Sequence, residues 1–360
     1  MTAASTGGVF VKTVIYHSYE DIRIENGPIP SITDHELLVQ VHGCGLCGSD
    51  ILKIVQQANP PVVLGHELTG TIVERGQAVT AFEEGQRVII AHHVPCRTCH
   101  YCRHGNFSMC SSFKASNIDP CGFAEYIRVP APHVEQTTLL LPETLSAEEG
   151  SFTEPLACCV RAVRRTPFFA GDTVVVIGLG SIGLLMLQAV KALGKGVQVF
   201  GVDLLPERLQ LAHDFGADGA FWAPVDEQGL RTLLAPSTEG LGADAVIITA
   251  PGACPFMQAL ASVRKGGTIN IFAAHSSTIS INVEKLYHQE LSIISTYSSS
   301  PEDLRIALDL LNSGKVRVDG LISHRLPLEQ FHEGVTLMRE RAALKVYFEI
   351  AGEANGKYTL

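Results

Sequence analysis

The chain predicts an α/β fold in two domains: a β-rich unit, and a doubly wound parallel-sheet unit inserted near its end. Three observations predict it. Short strand-like runs broken by Gly, Pro and Asp fill residues 11–129, strand-like and helix-like segments alternate from about 171 to 297, and a helix–strand–helix–strand tail follows. The 360 residues also exceed the ~250 at which one hydrophobic core usually stops growing.

In the first stretch LLVQVHGC (37–44), TGTIVERG (69–76), QRVII (86–90) and FAEYIRV (123–129) read as strands of an antiparallel unit with long loops. The pattern changes near Gly171. TVVVIG (173–178) is a continuous apolar run too short for a helix, as expected of a strand buried on both faces. SIGLLMLQAVKALG (181–194) follows with helical periodicity and ends in Gly. VQVFGVD (197–203), the helix-like PERLQLAHDFG (206–216), a short segment at 220–222, ADAVIITA (243–250), GTINIFA (267–273) and LSIISTY (291–297) continue the alternation. Such alternation requires right-handed crossovers onto one parallel sheet. Beyond Pro301 come helix EDLRIALDLLNSG, strand-like HRLPL, helix EQFHEGVTLMRER and strand ALKVYFEI.

Composition narrows the partners. Lys+Arg number 27 against Asp+Glu 37, a formal charge of −10, which argues against a nucleic-acid partner. The nearest basic patch, Arg161, Arg164 and Arg165, reads as a solvated or interface-lining helix face. No run approaches the ~18 apolar residues of a membrane span, so no membrane partner is expected. The opening MTAASTGGVFVK lacks the basic start and apolar run of a signal peptide, which makes the cytoplasm the expected compartment. Ten cysteines in a reducing compartment point to metal rather than disulfides.

Gly178-Leu179-Gly180-Ser181-Ile182-Gly183 follows a strand and opens a helix. The first glycine suits a tight turn, the second a close approach of pyrophosphate, and the third close helix–strand packing. The free N–H groups and dipole of the helix N-terminus favour phosphate. Asp203 ends the next strand twenty residues after Gly183, where a carboxylate accepts bonds from the adenosine ribose and repels a 2′-phosphate. NAD is therefore the expected dinucleotide. Arg208 stands close enough in sequence to leave NADP as the lesser alternative.

Cys96, Cys99, Cys102 and Cys110 place four thiols within fifteen residues, a set that suits a closed tetrahedral zinc site in a lobe at about 93–112. His100 and His104 in the same loop read as surface residues. A saturated site of this kind stabilises and does not react.

A second set is dispersed: Cys47-Gly48-Ser49-Asp50, Gly65-His66-Glu67 and Ser151-Phe152-Thr153-Glu154-Pro155. Each alone has an ordinary structural explanation. Together with CGLCGSD, CGFAEYI, EPLA, GLGSIG and the four-cysteine lobe, in one order from about Val11 to Ile350, they resemble the zinc-containing medium-chain dehydrogenase family. Its sorbitol dehydrogenase-like polyol branch is the nearest likeness.

The resemblance implies a GroES-like catalytic domain at 1–155 and 298–360, a Rossmann NAD-binding domain at 156–297, and an active-site cleft between them. It implies two zinc ions: a structural one on the cysteine lobe, and a catalytic one on Cys47, His66 and Glu154, with Glu67 close by. Ser49 is the implied proton relay. The implied reaction interconverts a secondary alcohol or polyol and its ketone, so the partner is a small-molecule alcohol or ketone, and a homo-oligomer (tetramer or dimer) is expected.

Alternatives are the same chemistry on an amino-alcohol or sugar phosphate, or a non-catalytic zinc-stabilised NAD-binding sensor. Two positions depart from the pattern: Leu52 stands where many relatives carry a relay histidine, and Ser298-Ser299 where sorbitol dehydrogenases carry an Arg-Tyr pair.

Overall fold

The computed structural model describes residues 10–56, 60–223, 227–274 and 278–351. They form two compact units, Met1–Glu154 with Val318–Leu360, and Pro155–Arg317. Among the described residues the first unit holds a seven-stranded sheet and a small three-stranded one. The larger sheet is centred on Leu37–Gly45, which pairs antiparallel with Glu67–Arg75, Tyr126–Val129 and Val346–Glu349. This return of the last strand to the first unit's centre is why residues 318 onward belong with the N-terminal part. The core gathers Val39, Leu68, Ile72, Phe123 and Phe348, with Phe331 edge-on to Phe123 at 4.8 Å and stacked on Phe348 at 4.9 Å.

The second unit is built on a six-stranded parallel sheet in the order Gly219–Trp222, Gln198–Asp203, Thr173–Ile177, Ala243–Ile248, Val263–Ile271, Ser292–Ser295. Its middle strand Thr173–Ile177 is buried at every residue, as the unbroken apolar run requires of a strand covered on both faces. The polar stretch DEQGLRTLL resolves into a helix, Glu227–Thr238, that tolerates Pro236 near its end. Leu230 and Leu234, one turn apart, bury one face of it against the sheet core, and that face outweighs the polar residues between them.

Residues 298–317 sit in this second unit. Helix Pro301–Asn312 starts in a capping box in which Ser300 and Asp303 satisfy each other's backbone N–H groups. Arg164 of helix Thr153–Arg165 reaches the same Asp303 at 2.5 Å.

Cys121 stands in the first unit with φ 122°, in the region that favours glycine, after the cis Asp119–Pro120 bond. Its thiol is buried, and the Asn117 side-chain amide donates to it at 3.2 Å. This position should therefore invert the usual preference for Ala over Gly. Cys121→Ala keeps the backbone strain and loses the thiol contact, whereas Cys121→Gly removes the strain, worth about 1–3 kcal/mol. Denaturant titration should rank the Gly variant above the Ala variant; the reverse order would show that the backbone here is not strained.

Candidate metal centres and dinucleotide turn

Strand Leu37–Gly45 delivers the chain to Cys47, which caps helix Gly48–Val55 through its sulfur, accepting from the Ser49 N–H at 3.4 Å. Ser49 Oγ lies 3.3 Å from the Cys47 sulfur and 3.4 Å from His66 Nε2. His66 immediately precedes the neighbouring strand Glu67–Arg75, and its Nδ1 faces Asp50 Oδ1 at 3.4 Å. With the ring proton on Nδ1, toward Asp50, the Nε2 lone pair is on the side of Ser49 and Cys47. Burial pulls the carboxyl of Asp50 upward, but His66 and Lys53 outweigh it and hold Asp50 below its usual value.

Glu67 follows in strand Glu67–Arg75, wholly buried, and its Oε2 lies 2.5 Å from Lys345 Nζ, itself buried. Burial pulls Lys345 down, yet Glu67 first, then Cys47, and Glu154 more weakly, raise it above its ordinary value, so it carries its charge. Glu67 Oε1 is buried without a hydrogen-bond partner.

The ligand atoms of Cys47, His66 and Glu67 all lie within 4.8 Å of one another. Glu154 is buried in the first turn of its helix and lies outside that group. Thiolate, imidazole and carboxylate are the donors zinc accepts, and an orphaned buried oxygen beside them is what such an ion would satisfy. The residues present fit a zinc ion.

A row of rings leads away from this centre, His66 to His92 at 4.4 Å, His92 to His93 at 3.6 Å and His93 to Phe113 at 4.7 Å. Burial, then the neighbouring His66 and His93, push His92 well below its ordinary value, so the row is neutral there.

Phe113 belongs to the cysteine lobe, where it packs with Cys102 and Cys110. The sulfurs of Cys96, Cys99, Cys102 and Cys110 lie within 4.8 Å of one another, and all ten cysteines are free thiols. Backbone N–H groups of Thr98 and Cys99 aim at the Cys96 sulfur and lower its pKa to about 6, while burial pushes Cys102 to about 12. A loop that already directs N–H dipoles at sulfur is arranged for anionic ligands. His104 Nδ1 bonds the His100 carbonyl at 2.8 Å and the two exposed rings lie 4.2 Å apart at a tilt of 34°; neither is among the four converging ligands.

In the second unit, Gly178 turns the chain at φ +97°, and a Cβ on Gly183 would lie 1.8 Å from the Gly178 carbonyl oxygen. A Cβ on Gly180 would meet nothing within 4 Å, so the chain there is open to a ligand. Ser181 begins helix Ser181–Leu193, whose N-terminus has no side-chain cap, and Ile182 follows it. Asp203 ends its strand with both oxygens engaged: Oδ2 accepts from Leu179 N at 2.6 Å and Oδ1 from Leu205 N at 3.0 Å. Arg208 Nη1 stands 3.7 Å from Oδ2. An uncapped helix N-terminus behind an open glycine fits a dinucleotide pyrophosphate.

The sequence singled out neither Lys345 nor Asp50. Lys345 left one signal, a lone cation inside the apolar run ALKVYFEI that ends in a central strand.

Lys345→Met should cost about 3–5 kcal/mol, because it leaves the Glu67 carboxylate buried and unpaired. Pairing it with Glu67→Gln should restore most of that loss in thermal denaturation. Additive losses in the double variant would show that the two groups are not coupled.

A family model described as the alcohol dehydrogenase GroES-like domain matches residues 33–139, and one described as zinc-binding dehydrogenase matches 181–313. Sorbitol dehydrogenase of Halalkalibacterium halodurans is 32% identical over 92% of this chain and 96% of its own length. D-arabitol-phosphate dehydrogenase of Enterococcus avium is 33% identical over 92% of this chain and 94% of its own. A zinc-binding dehydrogenase from Sinorhizobium meliloti 1021, solved bound to NADP, superposes with a TM-score of 0.83 at 29% identity, covering 95% of this chain and 99% of its own. Matched along nearly its whole length by such relatives, the chain belongs to the zinc-containing medium-chain dehydrogenase family.

Proposed function

We propose that this chain is a zinc-dependent, NAD-linked dehydrogenase that interconverts a secondary alcohol or polyol and the corresponding ketone. The observation that carries the reading is the meeting of Cys47, His66 and Glu67 around one point, with the Ser49 hydroxyl against two of them. Cys47, His66 and a carboxylate, Glu154 or Glu67, hold the catalytic ion, and the four lobe cysteines hold the structural one. When bound, zinc supplies a Lewis acid that acidifies a substrate hydroxyl, and NAD supplies the hydride acceptor.

The chain's own residues do the rest. Asp50 fixes the His66 ring so that Nε2 faces Cys47. Lys345 holds one oxygen of Glu67, so that this carboxylate has a single oxygen left to offer. Ser49 Oγ, exposed beside Cys47, takes the substrate hydroxyl proton and passes it on. Leu52, on the same helix, offers no acceptor, so the proton goes from Ser49 to water. In the second unit Gly178, Gly180, Ser181, Ile182 and Gly183 seat the pyrophosphate, Asp203 receives the ribose hydroxyls, and Arg208 flanks it.

The reading extends to a cytoplasmic homo-oligomer with a small-molecule alcohol or ketone partner. Ten free thiols suit a reducing compartment. Strand Ser292–Ser295 ends its sheet with an edge open to another chain among the described residues. No described helix is long and apolar enough to cross a membrane.

Metal analysis of loaded protein should give two zinc ions per chain. Cys47→Ser should abolish turnover in a folded protein, and Cys102→Ser should chiefly lower the thermal midpoint. Glu154→Gln should keep part of the catalytic zinc and lose most turnover, and the Glu67→Gln, Glu154→Gln double variant should empty that site alone. One zinc per chain would refute the two-site reading, and full activity in Glu154→Gln would remove that residue from the ligands.

Wild type should use NAD more efficiently than NADP, and Asp203→Ala should narrow the kcat/KM ratio. The same change should destabilise the fold by about 1.5–3 kcal/mol, since two backbone N–H groups lose a charged acceptor. A wild-type preference for NADP would make Arg208, not Asp203, the dominant determinant.

A further inference from the structure

Trp222 is the chain's single tryptophan, and the sequence places it in no motif. It ends strand Gly219–Trp222, directly opposite Asp203 in the parallel pairing with Gln198–Asp203. Both side chains therefore stand at the carboxyl ends of adjacent strands, where doubly wound sheets bind their ligands. The indole N–H donates to the Leu204 carbonyl at 3.0 Å, so its one polar atom is already used.

The strand end beneath it is pinned. Ala223 N donates to the Asp203 carbonyl at 2.8 Å, and the Gln258 amide donates to the Ala223 carbonyl at 2.7 Å. Phe221 and Ala223 on either side pack against the core, whereas Trp222 is 57% exposed. Leu204 beside it is 54% exposed. Two apolar side chains thus frame the buried Asp203 carboxylate and its Arg208 neighbour. A flat apolar surface next to a polar acceptor matches one ligand chemistry, a purine base joined to a ribose.

We propose that Trp222 is a cofactor-binding residue of the dinucleotide site, stacking on the adenine while Asp203 receives the ribose. The proposal rests on the dinucleotide reading of the glycine turn. Held in place by the Leu204 bond and the pinned strand, the ring loses little freedom on binding, so the stack adds affinity at small entropic cost. Because NAD and NADP share the adenine, Trp222 contributes equally to both, and discrimination between them stays with Asp203 and Arg208.

The test uses ADP-ribose, which carries the adenosine end without nicotinamide. Its binding to the intact protein is followed by calorimetry and by the emission of Trp222, the only tryptophan signal available. ADP-ribose should bind wild type and quench that emission. Trp222→Ala should weaken ADP-ribose, NADH and NADPH binding by one common factor of about thirty, the middle of what base–aromatic stacking supplies, and Trp222→Phe should keep most of the affinity.

Wild-type binding with unchanged emission, or a Trp222→Ala affinity within twofold of wild type, would overturn the role of Trp222 and leave the dinucleotide site standing. No binding of ADP-ribose or NADH to wild type would overturn both. The quenching arm needs no variant, so the proposal stays testable if Trp222→Ala fails to fold.

Discussion

The first unit must bury negative charge, and the Glu67–Lys345 pair is the contact that lets it do so. Asp50 and Glu67 are buried beside His66, and Glu154 is buried within electrostatic reach of Lys345, a concentration of acid that a folded core does not accept unpaired. Lys345, the residue before the last strand, brings a cation to Glu67 from 278 residues away in sequence. The pair ties Val346–Glu349 and Glu67–Arg75 to the same centre, so closing the sheet and neutralising the site are one event. A buried pair is not by itself a strong source of stability, because desolvation consumes much of the attraction. Its effect here is geometric: it fixes Oε2 of Glu67 and leaves Oε1 buried without a hydrogen-bond partner.

The backbone is shaped to that requirement. A Cβ on Gly45 would lie 2.3 Å from Glu67 Oε2, so a side chain there would evict the carboxylate from its seat beside Lys345. The same segment runs on to Cys47, which means that the loop carrying the thiol and the strand carrying the acid are held in register by one missing side chain. Asp50, one helical turn into Gly48–Val55, then sets the His66 ring. Sulfur, imidazole and carboxylate are thus brought together by two backbone segments, the Cys47 loop after strand Leu37–Gly45 and the His66-Glu67 pair at the head of strand Glu67–Arg75, which the pairing of those strands holds side by side.

What could be read from the sequence was the chemistry carried by local spacing. Gly178, Gly180 and Gly183 form their turn within six residues, and the four lobe cysteines close their cluster within fifteen, so neither needs the rest of the fold to be recognised. The alternation of apolar runs likewise fixes a parallel sheet without knowledge of its partners. Long-range pairings left no such trace. Nothing near Glu67 announces Lys345, and nothing in Asp203 shows that it binds Leu179 and Leu205 as well as facing a ligand. Residues 298–317 read as part of the tail, yet the Arg164–Asp303 contact belongs to the nucleotide unit, because an ion pair 139 residues apart has no periodicity to betray it.

The two engaged oxygens of Asp203 change how its selectivity has to be understood. A carboxylate has about four acceptor positions, and two are already taken by backbone N–H groups, which leaves two for ribose hydroxyls. Repulsion of a 2′-phosphate is a separate matter, since it depends on net charge rather than on free lone pairs. A unit charge ~5 Å away in surroundings of effective dielectric ~20 is opposed by about 3 kcal/mol. Arg208, 3.7 Å from the same carboxylate, cancels part of that field. In the proposed site a 2′-phosphate would meet an acid and a base side by side, and a preference for NAD would come from their difference. Asp203 is buried and held by its two N–H donors, and Arg208 is itself largely buried against the same carboxylate, its side chain 17% exposed. On the proposed reading, the balance between these two fixed charges, more than Asp203 alone, sets the preference for NAD.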